Sequence, residues 1–339
     1  MAKPRLLLVT ERSAYHQEQT AKVVPEGVDL VVLRSPSDDE LKAALVDATY
    51  MVSERVGRID GALLDAAPHL KLILRLGSLS HDIDLAAAKA RGVIVCQRFQ
   101  EGTVAVAEFT LLQVLALLHR LPAVQAIAEA AGDDWAERRR TDEDTFAFNW
   151  SKRRDHRTLD GMTIGILGMG EIGAVLAARL LPWDVTLLYA RRRRLPDAVE
   201  AELHIGYRDD ETLLAESDVV VCLLPYNDQT VGFLDGRRLA SMKQGAYLVS
   251  AGSGGVIEEA ALADVIASGH LAGAAIDTFA VEPIEAGNPL VTLARDGANV
   301  ILTPHVAGGA PEDPWADYRL MFTALEDHLR GDPPAGRIA

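Results

Sequence analysis

Cysteine is scarce in this 339-residue chain, which has only Cys96 and Cys222. Both fall in short apolar runs that read as buried strands, so no disulfide framework is available and a reducing cytoplasm is the expected address. Positive charge is also in deficit. A formal net charge of −15 argues against nucleic acid as a partner, because gripping phosphates requires a basic face. No apolar run reaches the roughly 20 residues that a membrane span needs, so no membrane partner is expected. The opening M-A-K-P-R-L-L-L-V-T has too short an apolar core for a signal peptide and reads as a first strand. What is present is 49% hydrophobic and 24% charged residues, a soluble globular composition on a chain long enough for two domains.

Along the first hundred residues short apolar runs alternate with helical patterns. Strands are expected at 5–10, 28–33, Tyr50–Val52, Leu70–Arg75 and Val93–Cys96. Helices are expected at 37–48, where Ser37 and an acidic first turn supply an N-terminal signature, and at Gly61–Ala67 and Leu85–Ala90. This rhythm describes a small parallel α/β domain. From Val104 to Leu121 runs one long helix, apolar almost all round and closed by Pro122, which must be buried between domains or against a second subunit. Residues 129–158 are charged and irregular and read as a long loop, with Phe146, Phe148 and Trp150 as anchors. Strands then recur at 162–167, Val185–Ala190, Asp218–Leu223, Ala246–Ser250, Gly273–Ile276 and Val300–Leu302, six in all, with helices between most of them, including Asp210–Glu216 and Glu258–Ser268, and a tail helix at 312–331.

The stretch Met162–Gly173, M-T-I-G-I-L-G-M-G-E-I-G, spells G-x-G-x-x-G at Gly168, Gly170 and Gly173 where an apolar strand meets an amphipathic helix carrying Ile172, Val175, Leu176 and Leu180 on one face. In that setting the first glycine allows a tight turn and the second lets the backbone approach a pyrophosphate. The third lets helix pack on strand. Bare amides and the helix dipole then hold phosphate charge. The motif alone would fit a merely structural turn; the strand before it, the helix after it and a second strand at Val185 favour a dinucleotide. That second strand ends at Arg191, about 20 residues past the glycines, where an NAD site would carry an acidic side chain for the ribose 2′-OH. An arginine fork pairs instead with a 2′-phosphate, so NADP(H) is favoured over NAD(H). The competing reading of Arg191–Arg194 is a solvated basic helix start.

With these pieces stand others: Val106-Ala-Glu-Phe-Thr-Leu, Val221-Cys-Leu-Leu-Pro225, Met242-Lys-Gln-Gly-Ala-Tyr-Leu-Val, Gly254-Gly-Val-Ile-Glu-Glu, Gly273-Ala-Ala-Ile-Asp277-Thr-Phe-Ala-Val-Glu282-Pro and Thr303-Pro-His305-Val-Ala-Gly-Gly. Together they resemble the D-isomer-specific 2-hydroxyacid dehydrogenase family, which includes glyoxylate/hydroxypyruvate reductases and phosphoglycerate dehydrogenases, from about Leu70 to Gly309. The resemblance implies a Rossmann doubly wound parallel sheet (104–305) and a smaller flavodoxin-like α/β substrate domain made of 1–103 and 306–339. It also implies a small-molecule substrate and a homodimer. Glu282 and His305 would act as a pair. Reducing a ketone by hydride requires a proton for the developing alkoxide, which histidine can carry near neutral pH, and a carboxylate on its other nitrogen orients the ring and favours imidazolium. Cofactor contacts are implied from Gly168, Met169, Gly170, Glu171, Ile172, Gly173, Arg191, Arg192, Leu224, Pro225, Thr230, Ala251, Asp277 and Gly308. Asp277 would accept from the nicotinamide carboxamide. No metal site is expected.

Two departures from the family fall on one function. Where the family has N-T-A-R-G-G, this chain reads Ser250-Ala-Gly-Ser253-Gly-Gly, so Ser253 occupies the position of the arginine that clamps the substrate carboxylate. A hydrogen bond to a charged group contributes about 1.5–3 kcal/mol, and serine supplies one neutral hydroxyl in place of a bidentate fork. The carboxylate-binding loop, usually like G-V-G-Y-D-N-I-D, is here Gly77-Ser78-Leu79-Ser-His-Asp-Ile-Asp84; Leu79 replaces a glycine and can block close backbone approach. Gln97 and Phe99 stand where Asn and Pro are common. Three readings follow: an NADP(H)-dependent oxidoreductase whose substrate is not a simple small 2-keto acid, or is held by another cation such as Arg75 or Arg98; a divergent enzyme with altered or non-redox chemistry; and a non-catalytic nucleotide-binding scaffold. Retention of both Glu282 and His305 disfavours the last.

Overall fold

The computed structural model describes residues 3–54, 57–77, 79–98, 101–132, 138–145, 148–309 and 319–339. Ser78, Phe99, Phe146 and the first part of the helix expected at 312–331 lie outside them. Two units are distinguished, Met1–Ala105 with Gly309–Ala339, and Val106–Gly308.

In the first unit the alternating apolar runs become five parallel strands: β1 (Arg5–Thr10), β2 (Asp29–Arg34), β3 (Ala48–Ser53), β4 (Leu72–Leu76) and β5 (Ile94–Arg98). Their order, β2-β1-β3-β4-β5, is the flavodoxin-like doubly wound order. The side-chain period of two sends Leu7, Val9, Met51, Ile73 and Val95 to one apolar layer and Leu6, Leu8, Tyr50, Val52, Leu72 and Leu74 to the other. Helices α1 (Ala14–Lys22), α2 (Asp38–Leu45), α3 (Gly61–Asp65) and α4 (Leu85–Ala90) connect the strands. Ser37 and Glu40 close a capping box on α2, and Asp60 and Asp84 cap α3 and α4. α1 went unexpected because its sequence, AYHQEQTAK, carries little apolar periodicity. A C-terminal helix, Thr323–Arg330, packs Leu325 into the second layer beside Met321 and Phe322. The last residues run antiparallel to β5, with Gln97 N–H donating to Gly336 O (2.8 Å) and Ile338 N–H to Val95 O (2.8 Å). They cover an edge that would otherwise be open.

The second unit carries the long apolar helix as two pieces. α5 (Glu101–Leu118) ends at a break in which Arg120 has φ 50°, and α6 (Leu121–Ala130) leaves at 64°. Pro122 therefore starts a helix instead of closing one. Its missing N–H costs nothing in the first turn. No single helix among the described residues is long and apolar enough to cross a membrane. Seven parallel strands follow: β6 (Thr163–Leu167), β7 (Thr186–Ala190), β8 (Ile205–Tyr207), β9 (Val219–Cys222), β10 (Tyr247–Ser250), β11 (Gly273–Ile276) and β12 (Val300–Leu302). Their order is β12-β11-β10-β9-β6-β7-β8, a Rossmann sheet in which the winding reverses between β6 and β9. One strand more than expected is present: β8 has three residues, too few to show a period. Helices α7 (Glu171–Leu180), α8 (Asp197–Leu203), α9 (Asp210–Glu216), α10 (Gly236–Ser241), α11 (Glu259–Ala267) and α12 (Pro289–Arg295) lie between. Of these α8, α10 and α12, at six or seven residues each, had no bounds assigned from the sequence pattern, which expects helices between most of the strands.

Candidate active site

The turn from β6 into α7 is built by its three glycines. Gly168 has φ 96°, and a Cβ there would stand 2.8 Å from the Leu223 carbonyl carbon, so only glycine lets β6 end against the β9 backbone. At Gly173 a Cβ would press on Met169 Sδ at 2.9 Å and Ile166 Cγ2 at 3.1 Å, which is the close helix–strand packing expected of the third glycine. Gly170 is different: a Cβ there meets nothing within 4 Å, and no side chain caps the first amides of α7. An open surface and bare helix-start amides fit a dinucleotide pyrophosphate. Met169 is buried, so its side chain serves the packing, while Glu171 and Ile172 are half-buried on the first turn.

β7 leads to the arginine run, which is a loop, since α8 begins only at Asp197. Arg191 is half-buried; Arg192 and Arg193 are exposed and form no ion pair among the described residues. Arg194 is committed to the fold. It donates to Glu200 through Nε (2.8 Å) and Nη2 (2.6 Å), and Tyr189 Oη donates to the same carboxylate at 2.5 Å. The Arg194 fork and the tyrosine hydroxyl outweigh burial and hold Glu200 down at about 2, while burial and then Glu200 push Tyr189 up to about 12.

Four loops meet at the carboxyl edge of the sheet, where open α/β sheets bind ligands. After β9, Leu224 O accepts from Ser253 N–H (3.1 Å), and Thr230 Oγ1 donates to Pro225 O (2.5 Å) and accepts from Asn227 N–H. Thr230 thus closes the Pro225–Thr230 turn. After β10, Ala251 is buried and Ser253 half-buried, its hydroxyl without a hydrogen-bond partner among the described residues. Gly254 lies so close to the next loop that a Cβ would fall 1.9 Å from Phe279 O, and Thr278 Oγ1 donates to Gly252 O (2.9 Å). After β11, Asp277 is fully buried and accepts from Thr303 Oγ1 (2.6 Å), Val306 N–H (3.0 Å) and Ala307 N–H (2.9 Å). What the structure gives Asp277 is a duty inside the fold: it holds the loop after β12 that carries His305.

His305 itself is exposed, with φ 53°, and its N–H donates to Asp277 O (2.9 Å) and Thr303 O (3.0 Å). A non-glycine residue in the left-handed region costs about 1–3 kcal/mol and persists only where its surroundings over-determine it. Its Nδ1 lies 2.7 Å from Glu282 Oε2, and the other carboxylate oxygen accepts from Phe279 N–H (3.0 Å). Burial works to raise the Glu282 carboxyl, but the bonds from His305 and Phe279 prevail and hold it below its ordinary value. Gly308, on the same loop, is exposed. Thr278, Thr303, Glu200 and Tyr189 were not singled out in the sequence. Thr278 and Thr303 have a positional signal, each lying within two residues of a singled-out Asp277 or His305. For Tyr189 and Glu200 the signal is absent, because their meeting depends on the fold.

In the first unit, β4 ends in the loop Gly77–Asp84. Arg75 is fully buried, and its guanidinium donates to Leu79 O (2.9 Å), Ser53 Oγ (2.9 Å) and Asp82. Arg75, expected among the groups that hold a substrate carboxylate, directs these donors to Leu79, Ser53 and Asp82 of its own unit. Leu79 is buried, so its side chain serves the core. Gly77, φ 110°, donates to Arg98 O (2.8 Å) and its carbonyl accepts from Gln97 Nε2 (2.8 Å). The Arg98 side chain is half-buried and forms no ion pair among the described residues. Both cysteines are buried, which raises each thiol to about 11 and leaves it inert at neutral pH. Among the described residues no group of three or more His, Cys, Asp or Glu is arranged to hold a metal.

Residues 131–307 match the NAD-binding domain of the D-isomer-specific 2-hydroxyacid dehydrogenases. Over 99% of its length the chain is 31% identical to a glyoxylate reductase of Thermofilum pendens, covering 94% of that protein. It is also 31% identical to a D-3-phosphoglycerate dehydrogenase of Mycobacterium tuberculosis, over 86% of this chain but only 51% of that longer one. Among solved structures, a protein of Pyrococcus horikoshii OT3 superposes with a TM-score of 0.59 at 28% identity, covering 99% of this chain and 95% of the other.

Proposed function

The chain belongs to the D-isomer-specific 2-hydroxyacid dehydrogenase family, a family of NAD-binding oxidoreductases, and from that premise we propose that it transfers hydride between NADP(H) and a 2-hydroxy/2-keto acid or a related carbonyl compound not gripped by the family's arginine. The observation that carries the proposal is the 2.7 Å contact between His305 Nδ1 and Glu282, in the same unit as an open glycine turn. The nicotinamide, when bound, supplies or takes up the hydride. The chain's own residues do the rest. With Nδ1 turned to Glu282, His305 Nε2 is the atom that gives a proton to the substrate oxygen in reduction and takes it in oxidation. Glu282 fixes the ring and offsets its positive charge. Gly168–Gly173 and the amides opening α7 would hold the pyrophosphate, and Arg191 and Arg192 the 2′-phosphate. Leu224, Pro225, Ala251 and Gly308 would line the nicotinamide side. Ser253 offers its unpartnered hydroxyl where the family offers a cation. A substrate held by that neutral hydroxyl is favoured over a small 2-keto acid.

We further propose that the protein works as a homodimer in the cytoplasm. α6 buries none of its residues, and Leu112, Leu121, Phe148 and Trp150 are exposed. The enzyme reading is tested with a panel of 2-keto acids and ketones, NADPH and the variant Ser253→Arg. Wild type is expected to be poor on glyoxylate and hydroxypyruvate, and Ser253→Arg to improve both by lowering KM. Ordinary efficiency of the wild type on those acids would remove Ser253 from the argument.

A further inference from the structure

The loop Ala190–Leu195 is pinned at both ends by hydrogen bonds within the fold. At its start, Ala190 O accepts from Gly168 N–H (3.1 Å) and Met169 N–H (3.3 Å), so the glycine turn itself fixes the point at which the arginine run begins. At its end, Leu195 N–H donates to Tyr189 Oη (2.8 Å), and the same hydroxyl donates to Glu200, a buried carboxylate at the opening of α8. Arg194 completes the arrangement by a two-pronged bond to Glu200, with its guanidinium 6.0 Å from the Tyr207 ring centre. Four successive cations repel one another and would leave a loop with no preferred shape. Here one is withdrawn and neutralised by a buried acid, and the tyrosine beneath ties strand, loop and helix together.

We propose that Tyr189 and Glu200 form a positioning lock that commits Arg194 to the fold and thereby presents the preceding arginines, Arg191 and Arg192, to the 2′-phosphate of the dinucleotide. The inference rests on the NADP(H) reading above. Tyr189 and Glu200 are positioning residues, since they act through the loop. Arg194, though one of four equivalent arginines in the sequence, is then excluded from the phosphate grip. A lock of this kind sets the preference between nucleotides with and without the 2′-phosphate, leaving the pyrophosphate turn unaffected.

The test measures, by calorimetry, binding of 2′,5′-ADP and 5′-AMP to wild type, Tyr189→Phe, Glu200→Gln and Arg192→Ala, with thermal melting to establish that each variant is folded. Wild type is expected to prefer 2′,5′-ADP. Tyr189→Phe changes no charge and is expected to reduce that preference about tenfold, equivalent to about 1.4 kcal/mol, through 2′,5′-ADP alone. Glu200→Gln is expected to act in the same direction. A mere loss of stability would lower the melting temperature and leave the ratio intact. If Arg192→Ala loses the preference while Tyr189→Phe and Glu200→Gln keep or increase it, the lock is wrong and the NADP(H) reading stands. If wild type binds 5′-AMP as tightly as 2′,5′-ADP, the reading fails and the lock with it.

Discussion

His305 is held in a left-handed backbone conformation by Asp277 and Thr303 and turned by Glu282, so its chemistry belongs to a group of residues. Replacing Glu282 by Gln keeps the shape and a polar atom but removes the counter-charge of the imidazolium. The expected outcome is a kcat lower within the roughly 10²–10⁴ range that acid–base assistance contributes. KM should change little. An unchanged kcat would relieve Glu282 of this role. The sign of its stability contribution follows from its direction. Held below the ordinary 4.5, the carboxylate stabilises the fold in full above that value and loses this contribution as pH falls through its depressed one. Much of this scale was legible in sequence. Glu282, His305 and Ser253 were singled out because they stand in short motifs, whereas nothing in L-I-L-R-L tells a buried guanidinium from one facing a ligand.

At the scale of elements, the glycine turn depends on strands and helices that approach without side chains between them. Gly165, in the middle of β6, is where a Cβ would fall 2.1 Å from Ser217 Oγ, at the end of α9, and 2.7 Å from Leu213 Cδ2, in the middle of that helix. Gly165→Ala is therefore expected to destabilise the protein by about 1–3 kcal/mol, the usual cost of overpacking, seen as a lower denaturant midpoint at constant m. A neutral result would mean that α9 can withdraw freely. Several elements were anticipated closely: α4 and α9 at their observed bounds, α2 from its Ser37 cap, and β6 and α7 from the motif they flank. The nine-residue α1 and the short β8, α8, α10 and α12 were not given bounds, since what fixes them is their neighbours in space and not an apolar period.

For the whole molecule, the apolar helix pair makes a prediction about assembly. α6 leaves α5 at 64° with all its residues outside the core, and Leu112 is 53% exposed. Light scattering is expected to give twice the 36.6 kDa chain mass, and Leu112→Glu combined with Leu121→Glu to shift the population toward monomer without unfolding it. A wild type that stays monomeric at micromolar concentration would contradict the homodimer.

By itself the sequence determined the two-sheet α/β plan and the glycine turn, and it put Glu282, His305 and Ser253 forward as candidates. These rest on periods, glycine spacing and short motifs, which are local in the chain. Only the tertiary structure decided which charges are free to act. Arg75 disappears beneath its loop, Arg194 is taken by Glu200, and Asp277 is bound to three donors of its own chain. The reason is physical. Whether a charged side chain faces a ligand or the fold depends on partners distant in sequence, as Ser53 is from Arg75 and Thr303 from Asp277, and no local pattern records them.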